Sequence, residues 1–262
     1  MRAIVLALAI FFSAGALNAA EPVPFEALYN VTAKNWKMPG EIESYSGSQI
    51  VRLEKTCTDW RLVSQFRLSA ASAEGGEIDF NNDLSGTESL DGTRYSFRSD
   101  SRLGGRQIMH LAGQATRTAA GQPGRIQFSA PQTRTTSLPP DALFPIAAFV
   151  WTARQWESGQ KTANYVQFDG TTPEPVRVFE LLTGSPGKPT PMPDGDTKLL
   201  ESKAWRTTGS FHAYAGNDSR PLTTITQTVL SNAIATELSV DIGIADVTLQ
   251  LRRIRALPEP KC

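Results

Sequence analysis

Cysteine occurs at two positions in this sequence, Cys57 and Cys262. The first opens the tetrapeptide Cys57-Thr58-Asp59-Trp60 and the second is the last residue given. A bond between them would close a loop of about 205 residues, which in the chain-entropy picture stabilises the folded state by about 5 kcal/mol as an upper estimate. Whether they pair depends on the compartment. Arg2 followed by the apolar run Ile4 to Phe12 and the small residues Ser13 to Ala20 is the pattern of a cleaved secretory signal peptide. Residues 1–20 are therefore expected to be removed, leaving 21–262 as one exported domain with no transmembrane anchor. Exported compartments are oxidising, and two thiols suffice for a single disulfide. Two free thiols are the alternative at this point.

Lys plus Arg and Asp plus Glu stand at 26 each, so the basic footprint of a nucleic-acid binder is missing. Hydrophobic residues make up 40% of the chain and include twelve phenylalanines and five tryptophans, enough for a packed core rather than a disordered chain. Most of that core is written in period two. Leu62, Ser64, Phe66 and Leu68 point to one side of a strand over 59–69, with Arg61, Val63, Gln65 and Arg67 on the other. Similar stretches follow at 93–102, 106–112, 163–168, 176–182 and 205–254, punctuated by Asp91-Gly92, Gly104-Gly105, Asp169-Gly170 and Gly243. A dozen or more strands cannot lie in one flat open sheet. The predicted fold is mainly β, a many-stranded antiparallel meander curled into a spiral or open barrel around one main α-helix.

That helix is predicted over 141–158, after Pro139-Pro140 and before Gly159, with Pro145 as the alternative first turn. Its apolar residues run nearly all round, so it is expected to be enclosed by the sheet. Trp151, Phe144 and Ala148 are candidate lining residues of a cavity beside it. The five tryptophans can either line such a cavity or fill the core. Residues 184–196, with four prolines, read as a loop or lid.

Reaction chemistry is not written in the chain. The two histidines, His110 and His212, accompany no nucleophile motif, and His212 reads as solvated. No spacing suits zinc. The string from Asp79 to Asp83 lacks the glycine and distal glutamate of a calcium loop and reads as ordinary turn residues. Neither a cofactor nor a catalytic group is expected, although two carboxylates flanking a cleft would suffice for glycan hydrolysis.

Cys57 to Trp60, Leu143-Phe144-Pro145 and Cys262, in this order and spacing, resemble the EipB-like family of periplasmic envelope-integrity proteins. The resemblance spans the mature chain. It implies a spiral of antiparallel strands around a helix, stapled by a disulfide between the matching cysteines Cys57 and Cys262. It also implies a non-enzymatic role in maintaining the envelope of alphaproteobacteria. The family's shape is similar to periplasmic lipoprotein carriers of the Lol type, so a lipid or lipoprotein is one implied partner. A periplasmic repeat protein is another.

Overall fold

The structure is a computed structural model and describes residues 21–37, 41–215 and 219–262. The expected signal peptide lies outside the described residues. In chain order the strands are β1 (Phe25–Lys34), β2 (Ile42–Lys55), β3 (Asp59–Ser72), β4 (Glu77–Ser89), β5 (Arg94–Leu103), β6 (Arg106–Arg117), β7 (Gly124–Ala130), β8 (Arg134–Leu138) and β9 (Ala142–Leu143). Helix α1 (Pro145–Glu157) follows, then β10 (Thr162–Gln167), β11 (Val176–Gly184), β12 (Asp194–Gly195), β13 (Ala204–Ala213), β14 (Thr223–Leu230), β15 (Ala235–Asp241) and β16 (Asp246–Ala256). A short 3-10 turn at Thr197–Glu201 precedes β13.

Fifteen strands form one continuous order, β8-β7-β6-β5-β4-β3-β2-β1-β16-β15-β14-β13-β11-β10-β9. Laid flat, fourteen strand spacings would put the two edges roughly 65–70 Å apart. Yet the edge strands β8 and β9 are consecutive in the chain, joined only by residues 139–141, a link that reaches at most about 15 Å. The sheet must therefore curl until its edges meet. Two contacts mark the meeting. Arg117 Nη1 on β6 donates to the Ala142 carbonyl on β9 at 2.8 Å, and the Tyr95 hydroxyl on β5 donates to the Asp169 carbonyl after β10 at 2.8 Å. The mainly β, curled-sheet fold read from the alternation is the fold observed.

Turn chemistry fixes the register of the meander. Gly104 and Gly105 carry φ of 55° and 74° between the paired ends Leu103 and Arg106, a two-residue hairpin turn that only residues tolerant of positive φ can make. The string Asp79 to Asp83 is not a turn: it runs through β4, paired with β3 from Ser69 to Gln65.

Helix α1 starts four residues later than the proline pair suggests. Proline disfavours helical geometry in the residue before it, and Phe144 is indeed extended, with φ −80° and ψ 166°, so Pro145 becomes the first helical residue. Residues 142–143 are left extended and pair in parallel with β10. The other end falls as expected, with Gly159 at φ 87° just past the Ser158 cap. The helix is enclosed less completely than its composition predicts. Ala148, Thr152, Ala153 and Trp156 are buried, Arg154 is exposed, and most other positions are half-buried. One face packs on the sheet while the flanks border open space.

The expected disulfide is present. Cys57, in the β2–β3 turn, is bonded to Cys262, with Cα atoms 5.7 Å apart. The end of β1 lies between these two segments, because Phe25 pairs with Leu53 of β2 on one side and Ala256 of β16 on the other. The staple therefore straddles the first strand and ties its two neighbours together. Within the tetrapeptide, Thr56 Oγ1 receives the Asp59 amide at 2.9 Å to close the turn, and Trp60 is buried at the start of β3. The proline-rich loop is anchored at its far end. β12 pairs with Arg253 and Ile254 of β16, and Asp196 accepts the Ala256 amide at 2.7 Å.

Candidate functional site

Two buried carboxylates and two hollows surround α1. The first carboxylate is Glu88 at the end of β4, 4% exposed. Its Oε2 accepts the Ile146 amide at 2.7 Å and its Oε1 the Ala147 amide at 2.9 Å. Helix starts leave such amides without partners, and Phe144 supplies no side-chain cap. Glu88 therefore caps α1 from across the interior. Burial pushes its carboxyl up to about 7, against the downward pull of the two amides and the Arg117 charge.

Around that cap the core is full. Tyr95 stacks on Phe144 with ring centroids 5.4 Å apart, and Phe97 meets Phe168 at 5.2 Å and Phe128 at 5.6 Å, edge to face. These are preferred aromatic geometries. Gly170, at φ 74°, lets the chain pass so close that a Cβ there would sit 2.5 Å from the Phe97 side chain.

Farther along the helix the packing opens. An interior cavity of about 350 Å³ lies between α1 and the inner faces of β1–β3, β10, β11 and β13–β15. Ala148, Phe149 and Trp156 line it from the helix, with Leu53, Trp205 and Ile225 among the facing strand residues. Glu180, 5% exposed, stands in its wall. The Tyr165 hydroxyl donates to Glu180 Oε2 at 3.2 Å, and burial, reinforced by the Glu180 charge, holds that phenol protonated far above its ordinary range. A wider groove of about 700 Å³ lies against β9–β11 and β13 and is bordered by Trp151, Tyr165, Arg177 and His212. It is larger but mixed in polarity. The interior cavity has the mostly apolar wall and few polar groups typical of a small-molecule site.

The residues nominated from the sequence are therefore separated. Ala148 lines the interior cavity. Trp151 borders the outer groove, its ring 5.5 Å from that of Tyr165. Phe144 lines neither; fully buried, it belongs to the aromatic cluster, because the extended geometry imposed by Pro145 places it ahead of the helix. Trp156 and Trp205 line the cavity, Trp60 is buried in the core cluster that also holds Phe25, and Trp36 packs against Tyr45. His212 is half-buried at the groove rather than fully solvated, and His110 Nδ1 lies 2.6 Å from Asp100 Oδ1. Glu180 is not among the residues nominated from the sequence, although it shares a face with Val176, Val178 and Leu182, a carboxylate in an otherwise apolar alternation.

A curled, mainly antiparallel sheet wrapped around helix α1, with a hollow beside it, defines a β-barrel-like protein. The EipB-like family model matches residues 16–258, and the chain belongs to that family. The crystal structure of a β-barrel-like protein, from a domain of unknown function in Brucella abortus, superposes with a TM-score of 0.76 at 18% identity, covering 91% of this chain and 99% of that one. No curated protein matches the sequence. Among the described residues, no helix is long and apolar enough to cross a membrane.

Proposed function

We propose that this chain is an exported, non-enzymatic binding protein that supports the cell envelope by holding the aliphatic part of a lipid or lipoprotein against α1. The observation that carries this reading is the interior cavity. It is lined on the helix side by Ala148, Phe149 and Trp156 and on the sheet side mainly by apolar residues. Transfer of hydrocarbon from water into such a space is favourable by roughly 25 cal/mol per Å² of apolar surface. The signal-peptide pattern and the Cys57–Cys262 bond support export. Hydrolysis is the weaker reading, since the carboxyl with the most acid-like shift, Glu88, is committed to the α1 amides.

Native mass spectrometry of protein purified from a periplasmic extract tests the proposal. The expected spectrum shows the folded chain carrying one amphiphile, released by organic solvent. A chain that is always lipid-free, and that takes up no aliphatic probe when one is offered, would sink it. A repeat-protein partner would act on the outside of the sheet and is compatible with the same cavity.

A further inference from the structure

The cavity wall carries a buried carboxylate that a purely hydrocarbon ligand does not explain. Glu180 is 5% exposed, and among the described residues its side-chain partner is the Tyr165 hydroxyl, on Oε2. Among the described residues no protein group donates to Oε1 and no basic side chain pairs with Glu180, and Oε1 opens on the cavity rather than being sealed in the packing. The nearest basic side chain on the same strand does not help. Arg177 is on the alternate face of β11, exposed, while Val178 and Glu180 point inward. The second acid in the cavity wall, Asp169, is already used: its Oδ1 accepts the Thr171 amide and hydroxyl at 2.9 and 2.7 Å. A carboxylate largely withdrawn from bulk water without a cation is costly. Glu88 shows how this fold treats a buried acid with a structural task, by giving both of its oxygens backbone donors. Glu180 has half that provision and faces a hollow.

We infer that Glu180, oriented by Tyr165, is the polar anchor of the cavity, and that the ligand is a single-chain amphiphile bearing a protonated amino group. The inference rests on the proposed binding of aliphatic chains. The ammonium supplies the donors that Oε1 lacks and neutralises the carboxylate, a charge-assisted pair of the stronger kind. The apolar wall formed by Phe149, Trp156 and Trp205 takes the chain. A volume of about 350 Å³ is at the small end of ligand sites, which favours one chain over two.

The test uses the mature, disulfide-bonded protein and three probes of equal length, decylamine, decanol and decanoate, titrated calorimetrically at pH 7.5. Decylamine is expected to bind tightest, about tenfold or more over decanol, with decanoate weakest. Glu180→Gln is expected to abolish the preference for amine over alcohol; Tyr165→Phe is expected to reduce that preference by a smaller factor. Equal binding of amine and alcohol by the wild type overturns the anchor while leaving the cavity reading intact, and needs no variant to fold. Preference for decanoate overturns it as well. If none of the three probes binds, both the anchor and the proposed function fail.

Discussion

The two sides of α1 are built to opposite specifications. At its start the helix meets Tyr95, Phe97, Phe128, Phe144 and Phe168, rings in contact and nearly inaccessible, with Glu88 satisfying the first free amides. Along its flank it meets Trp156, Trp205 and Phe149 around unfilled space, with Glu180 holding one phenol. Interiors are normally packed as densely as organic crystals. A chain able to fill one end so completely, yet hollow a few residues on, separates the region that holds the fold from the region available to a ligand. The helix start is an anchor, and its flank is a wall.

This contrast is sharpest in the cost of truncation. Phe168→Ala, at 1% exposure within the filled cluster, is expected to lose about 3–5 kcal/mol. Phe149→Ala, half-buried beside the cavity, is expected to lose less than about 2 kcal/mol because less apolar surface returns to water. Urea midpoints at constant m-value measure both; equal losses would erase the distinction between the two sides.

The disulfide belongs to neither side and acts on the whole chain. Cys57→Ser is expected to cost about 2–4 kcal/mol, with the roughly 5 kcal/mol loop-entropy figure as a ceiling. Reductant added to wild type should lower its thermal midpoint to that of the variant, and a midpoint indifferent to both would show the staple to be energetically idle.

Glu88 gives the smallest and most particular effect. Its carboxyl titrates near 7 in the folded chain, above the ordinary value of 4.5, because of burial. The folded state therefore holds the proton more tightly than the unfolded state between those two values. The associated stability is fully present below about pH 4.5 and is lost as pH rises through about 7. Glu88→Gln, which can still accept a helix amide, is expected to cost about 1–3 kcal/mol near pH 5, and this cost should shrink toward neutral pH. Denaturant melts of both proteins from pH 4.5 to 8 would reveal it; a cost that grows with pH would contradict the assignment.

Much of this was legible in the sequence. Alternation over 59–69 and the turns at Asp91-Gly92 and Gly104-Gly105 placed most strands, since a half-buried hairpin must alternate and a tight turn must admit positive φ. Gly159 marked the helix end. Pro145, the alternative start offered by the sequence, outranked Pro139-Pro140 in a competition between two valid proline signals. Two things were hidden. β8 is largely polar, Arg134-Thr135-Thr136-Ser137, and is a strand because β7 offers it partners. The division of α1 into a filled end and a hollow flank depends on contacts between strands far apart in the chain, which no local pattern records.

Closing the hollow tests the account most directly. Ala148, 3% exposed, faces it from the helix, so Ala148→Trp should fill part of the space at a cost of about 1–3 kcal/mol. Calorimetric titration of decanol into both proteins is then decisive. The account predicts saturable one-site binding to wild type and none to the folded variant; binding of equal strength to both, or to neither, would contradict it.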